Sequence, residues 1–396
     1  MSGAPREFTN YAVNYFCTFG LVAFFIGFLP LHCKAIGLSA AQVSIIMACG
    51  NLSALVSAPF FMRYLKSRVG AGASFLIGAA GTVLLFASLY TASEFMQVLM
   101  AMFGFTFFWN GILIQCDASA IHHAAGGAFK FERVRLWGSL GFIAFSYLFG
   151  ASVDIFGVSS ILHVGAGITL LVFISSLTLS RQFKSEAEET QESSAAPKLP
   201  FFLSASFLLV VGLCWFAHSA LYVYLSLYLD SLGWSAQLIS VAWGVSVAAE
   251  ILMLFNFHLL ERRISLIWIL RLSLMLTIVR WLLLGCYQSY TAIFAAQLLH
   301  AFSFASFHVA SMKLIYNLLP KGKRVAGQAM LTTWGSAGGS LLGRLCIAAL
   351  TGAAASAATF RMMFLFSGLV TAAALLATFL FRSGGTNSAP PALSGR

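Results

Sequence analysis

Residues 181–200, RQFKSEAEETQESSAAPKLP, decide the architecture, because they form the one long polar interruption in a chain that is 60% hydrophobic and only 9% charged. Four glutamates, three serines and two prolines in twenty residues have the composition of a solvated linker. Working outward, six apolar runs precede it, at 8–31, 40–62, 70–92, 95–118, 134–156 and 158–180. Six follow, at 201–229, 236–259, 264–286, 289–317, 325–350 and 356–381. A helix rises about 1.5 Å per residue, so about 20 apolar residues cross a hydrocarbon layer about 30 Å thick. Backbone groups find no water in lipid, so only helices or a closed barrel can span it, and these runs are about twice the length of a barrel strand. The expectation is an all-α membrane protein with twelve transmembrane helices. The first run is too long, and lacks the small-residue spacer, for a cleavable signal, so it is expected to remain as the first helix.

The formal net charge of +11 raises the question of nucleic acid, and the placement of the basic residues answers it. With the N-terminus on the cytoplasmic side, the tails and even-numbered connections hold 17 of the 23 lysines and arginines, among them Arg63, Lys66, Arg68, Arg133, Arg135, Arg262 and Arg263. The opposite side holds only Lys34 and Arg361. That asymmetry is the positive-inside rule, so both termini are expected in the cytoplasm and no nucleic-acid partner is implied. The seven cysteines lie in or at the ends of apolar runs without paired spacing, which indicates neither a disulfide framework nor a metal site. Gly-Ser-x-Gly strings at 138–141 and 335–338 come without a nucleophile elbow or a metal-binding HExxH, so no enzyme is expected.

Across the linker the sequence repeats. GLSA at 37–40 returns as GWSA at 233–236, and Trp-Gly-Ser at 137–139 returns at 334–336, offsets of 196 and 197 that fall at equivalent places in each half. The expected organisation is an N-terminal six-helix bundle (1–180), a cytoplasmic linker (181–200), a C-terminal six-helix bundle (201–382) and a cytoplasmic tail (383–396). The glycines at 335, 338, 339 and 343 give small residues at close spacing in the eleventh run, which suits close helix packing.

Six ionisable residues fall inside apolar runs: Asp117 (fourth), Glu250 (eighth), Arg271 and Arg280 (ninth), Lys313 (tenth) and Arg344 (eleventh). Each costs about 2.5–3.5 kcal/mol at the centre of a lone helix, so each requires a partner or a wet cavity. His218, His300 and His308 add groups that exchange protons near neutral pH. Asp117 lies toward the cytoplasmic end of its run, near Arg133 and Arg135, where an interfacial ion pair is the plain alternative to a binding role. Glu250 lies near mid-membrane and is the strongest candidate, its plain alternative being a structural pair with Arg280 or Arg344. Arg271 is close enough to an end to snorkel. An offset of 196 carries Asp117 onto Lys313, so Lys313, with Arg344 and His218, is a candidate gate or ion-pair residue. Trp109, Trp215 and Tyr222 lie near these charges, and ring faces suit an arene or a pyranose.

At these residues the chain resembles a known group. Asp117-Ala118-Ser119-Ala120, Arg133-Val134-Arg135-Leu136-Trp137-Gly138-Ser139, Glu250, Val279-Arg280-Trp281 and Gln297-Leu298-Leu299-His300, in this order, resemble the phenylpropionate permease branch of the major facilitator superfamily, which is similar to the lactose permease group of oligosaccharide/proton symporters. The resemblance implies the major facilitator fold, two pseudo-symmetric six-helix bundles with the substrate near mid-membrane. It implies substrate contact for Asp117 and Arg135, and proton coupling for Glu250, Arg280 and His300. Two positions depart from the sugar permease: Ser303 stands where that group carries a proton-bearing carboxylate, and its helix 7 aspartate falls near His218.

The function expected is therefore proton-coupled import of a small organic solute across a bacterial-type inner membrane by a monomeric transporter, with a phenylpropionate-like aromatic acid as leading substrate. The four cations against two carboxylates inside the membrane favour an anion. The proton is the coupling ion and no other cofactor is expected. A sugar or nucleoside symporter, or a drug/proton antiporter, remains the alternative within the fold, and a non-transporting sensor the alternative outside it.

Overall fold

The computed structural model describes residues 4–185, 201–320, 323–352 and 355–381. Most of the expected linker and all of the tail, with Lys198, Lys321, Arg382 and Arg396, lie outside the described residues. Every described element is helical. Eleven helices among the described residues are long and apolar enough to span: α1 (Arg6–Ala35), α2 (Ala40–Val69), α3 (Ala71–Tyr90), α4 (Phe95–Ala125), α5 (Phe131–Phe156), α6 (Ser160–Leu179), α7 (Ala205–Ser231), α8 (Ala236–Glu261), α9 (Leu266–Cys286), α10 (Tyr290–Leu318) and, last in the chain, α12 (Ala357–Leu380). Between α10 and α12 the consecutive segments Arg324–Leu331, Thr332–Gly339 and Ser340–Thr351 make α11.

The outside of the molecule is apolar as well as its core. Leu84, Leu252, Phe255, Leu369 and Leu376 are exposed, whereas Asn14, Gln297 and Arg280 are fully buried. Apolar side chains face outward because lipid is their solvent, and polar groups turn inward to partners. Asn14 of α1, for example, donates to Ser175 Oγ (3.0 Å) and Ser176 Oγ (3.3 Å) of α6.

The two repeat motifs have a physical reading. Gly37 and Gly233 end α1 and α7 at φ +86° and +78°, a conformation that glycine adopts without strain. Two residues on, Ser39 accepts from Gln42 N (3.2 Å) and Ser235 accepts from Leu238 N (3.2 Å), so each serine caps the next helix. The Trp-Gly-Ser pair works through its glycine. A Cβ on Gly138 would stand 2.8 Å from Phe19 Cδ2 of α1, and one on Gly335 2.8 Å from Trp215 Cδ1 of α7. Phe19 and Trp215 are themselves 196 residues apart, so one close helix approach occurs in both repeats. Gly339 and Gly343 extend the contact along α7, where their added Cβ atoms would meet Gly212 O at 2.6 Å and Ser219 Oγ at 2.4 Å.

By contacts the chain sorts into two compact units. The first gathers Met1–Glu192, Tyr222–Gly244 and Arg344–Ala357; the second gathers Ser193–Leu221, Val245–Gly343 and Ala358–Arg396. Within the first, Lys34 Nζ meets Asp230 Oδ2 at 2.5 Å, and the Asp154 carboxylate accepts from Ala236 N (2.9 Å) and Gln237 N (3.0 Å) at the start of α8. Within the second, Phe207, Val210, Leu270, Leu274 and Phe307 belong to one apolar cluster. Four helices contain wide π-helical turns: α1 at Ala23–Phe28, α2 at Phe60–Leu65, α10 at Ala301–Ser306 and α11 at Thr332–Gly339.

Candidate substrate and proton site

In the second unit a polar cluster gathers around Arg280, which is 0% exposed. Its Nη1 donates to His300 Nδ1 (2.9 Å) and to Ser303 Oγ (2.9 Å), and its Nη2 donates to Gln297 Oε1 (3.1 Å). Ser246 of α8 donates to the same Gln297 oxygen at 2.5 Å. On its other side His300 Nε2 lies 3.8 Å from Glu250 Oε2. Gln297, His300 and Ser303 reach one guanidinium because they recur every third residue, and α10 is broken at Leu299 and wound as a π-helix from Ala301. Wide turns of this kind are frequent at functional positions.

The chemistry follows from donor counting. Arginine has only donors, so His300 Nδ1 accepts and the imidazole hydrogen sits on Nε2, facing Glu250. A fixed charge, a neutral ring and a carboxylate thus form a relay across α9, α10 and α8. The His300 ring stacks on Phe304 (5.4 Å, 21°), which stacks on His308 (5.8 Å, 3°) and meets Trp215 edge-on (5.7 Å, 88°). His218 donates Nδ1–H to Cys214 O (2.8 Å) and stands against Trp281 (5.2 Å, 71°). Lys313 Nζ pairs with Glu261 Oε2 of α8 at 2.5 Å. Arg271 lies over the Phe379 ring (4.2 Å) and donates to Thr378 Oγ1 (3.1 Å).

The first unit holds the other candidates in two groups. Asp117 Oδ1 accepts from Tyr15 OH at 2.5 Å, and the Arg135 guanidinium lies over the rings of Phe19 (4.0 Å) and Tyr15 (5.7 Å). Elsewhere in the unit, Trp109 stacks on Phe105 (5.8 Å, 20°) and meets Phe25 (5.9 Å, 58°). Tyr222 stacks on Trp243 (6.4 Å, 8°), whose indole donates to Ser226 Oγ (3.0 Å). Arg344 donates from Nη1 to Met47 O (2.6 Å) and to Asn51 Oδ1 of α2. Nothing in the sequence singles out Tyr15, Ser246 or Asn51, since one hydroxyl or amide in an apolar run carries no mark of a partner on a distant helix. Gln297 did carry a signal, standing three residues before His300 on the same face.

The model of the MFS_1 like family matches residues 8–364. The chain belongs to that family. It is 26% identical over 307 residues to the probable 3-phenylpropionic acid transporter of Escherichia coli strain K12, covering 77% of this chain and 81% of that one. Among solved structures it resembles the nucleoside transporter NupG (TM-score 0.81, 14% identity, 94% of this chain and 99% of that one). It also resembles a bacterial homologue of the iron transporter ferroportin (TM-score 0.76, 13% identity, 96% and 99%). At these identities the structures share the fold. The chain is a multi-pass membrane transporter of the major facilitator type, and neither fold nor relatives are those of an enzyme.

Proposed function

We propose that this transporter imports a small aromatic carboxylate together with a proton, by alternating access, with Glu250 as the proton carrier. The relay Glu250–His300–Arg280 carries this reading. Ionised Glu250 is attracted to the His300 Nε2–H at 3.8 Å, itself backed by the Arg280 charge; protonation of Glu250 weakens that attraction and leaves α8 and α10 joined at this depth by the Ser246–Gln297 hydrogen bond. One proton therefore alters one contact between two helices, which is what coupling to a conformational change requires. Similarity to the phenylpropionic acid transporter supports an aromatic acid, and the excess of buried cations supports an anion. Both termini are assigned to the cytoplasm of a bacterial-type inner membrane, and one chain is taken as the working unit. Asp117, Arg135, Trp109, Trp215 and Tyr222 are the candidate substrate residues, Asp117 and Arg135 both lying at Tyr15.

The test is uptake of radiolabelled 3-phenylpropionate into proteoliposomes under an imposed inward proton gradient. Glu250→Gln should abolish accumulation while exchange of internal for external substrate continues; full accumulation in that variant removes Glu250 from the mechanism. Gradient-driven expulsion by the wild-type chain makes it an exporter.

A further inference from the structure

Arg344 lies in the first unit and is 5% exposed, yet its charge has no carboxylate partner among the described residues. The aspartates of that unit are engaged elsewhere. Asp117 accepts from Tyr15, Asp154 caps α8 and Asp230 pairs with Lys34. Glu7 and Glu132 lie in the first turns of α1 and α5, and Glu94 caps α4. What Arg344 does have is orientation. Both hydrogens of Nη1 are used, on Met47 O and Asn51 Oδ1, and the guanidinium carbon stands 5.6 Å from the Phe25 ring centre. Its buried Nε finds no acceptor among the described residues. The side left over is the Nε and Nη2 edge, whose two parallel N–H bonds match a carboxylate. A second unused donor stands nearby: Trp109, 6% exposed, packs on the same Phe25 ring (5.9 Å), and its indole Nε1 has no partner among the described residues.

A buried guanidinium is destabilising without a counter-charge, and a buried N–H without an acceptor adds to that cost. Met47 and Asn51 supply dipoles but no charge. We infer that the Nε and Nη2 edge of Arg344 is the docking point for the carboxylate of the transported anion, with Phe25 and Trp109 meeting its aromatic body. The inference rests on the substrate class proposed above and adds its recognition residue. Arg135 differs, its guanidinium lying over the rings of Phe19 and of Tyr15, whose hydroxyl is bonded to Asp117.

The experiment compares binding of 3-phenylpropionate with that of its uncharged amide, 3-phenylpropionamide, by displacement of radiolabelled acid from the purified full chain. The wild-type chain should prefer the acid. Arg344→Gln should weaken acid binding by about 30-fold and leave the amide within about threefold, as expected for loss of a charge-assisted pair. Arg344→Lys keeps the charge but not the edge, and should weaken acid binding by about tenfold; it decides the matter if the glutamine variant does not fold. Undiminished acid preference in either folded variant would make Arg344 a clamp between α11 and α2 and overturn this inference alone. Failure of the wild-type chain to bind any aromatic carboxylate in a panel of benzoate, cinnamate and 3-phenylpropionate would overturn the substrate reading with it.

Discussion

Tyr15 shows how much a single hydroxyl does in a low-dielectric interior. Its hydrogen bond to Asp117 joins α1 to α4, and its ring lies under the Arg135 guanidinium. Tyr15→Phe keeps the ring and removes the donor, so the loss should be about 1–3 kcal/mol, the usual cost of leaving such a group unsatisfied. Thermal unfolding of the detergent-purified chain measures it as a lowered Tm. Arg135→Lys should cost less than about 2 kcal/mol by the same measurement, because the charge stays and the guanidinium contacts with Phe19 and Tyr15 are what is lost. Glu250, Arg280 and His300 were legible as residues, since an ion in an apolar run has to be accounted for. Their mutual arrangement was not, because it depends on where the turns of three helices point. Lys313 shows the same limit: the repeat offset suggested Asp117 as its opposite number, whereas the structure gives it Glu261, one helix pair away within its own unit.

Helix packing rests on the positions that carry no side chain. A Cβ on Gly141 of α5 would stand 2.1 Å from Phe16 O of α1, an obstacle made of backbone that cannot rotate aside. Gly141→Ala should therefore lower the Tm sharply, by overpacking of about 1–3 kcal/mol or more. Gly167 of α6 is the control, with nothing within 4 Å of its added Cβ. Gly167→Ala should raise stability by up to about 1 kcal/mol through helix propensity alone. Element boundaries were largely readable, because Gly-x-Ser at 37–39 and 233–235 states both a helix end and the next helix start. The π-helical turns were not readable. No residue type demands the wider turn of Ala301–Ser306; it lies where α10 meets α9, with Gln297, His300 and Ser303 sharing one guanidinium.

For the whole molecule, the distribution of lysines and arginines assigns a side to every loop, and a native thiol checks it. Cys286, at the end of α9, is exposed, whereas Cys17, Cys33, Cys116 and Cys214 are buried. In intact cells a membrane-impermeant maleimide should label Cys286 from outside, and a cysteine placed at Ser67, exposed in the last turn of α2, only after the membrane is broken. The opposite labelling pattern reverses the topology. The reading of a two-fold repeat came from seven positions in each half, and its physical content is one turn and one glycine contact that recur in both. Ser303, bonded to Arg280 in a cluster where Glu250 is the one described carboxylate, also bears on the energetics of the proposed symport. In that proposal a single titrating acid carries one positive charge inward with each monovalent anion, so the two would cancel and the cycle would be electroneutral. Membrane voltage would then do no work on it, and the steady-state gradient of solute would follow the acidity difference alone, about tenfold for each pH unit.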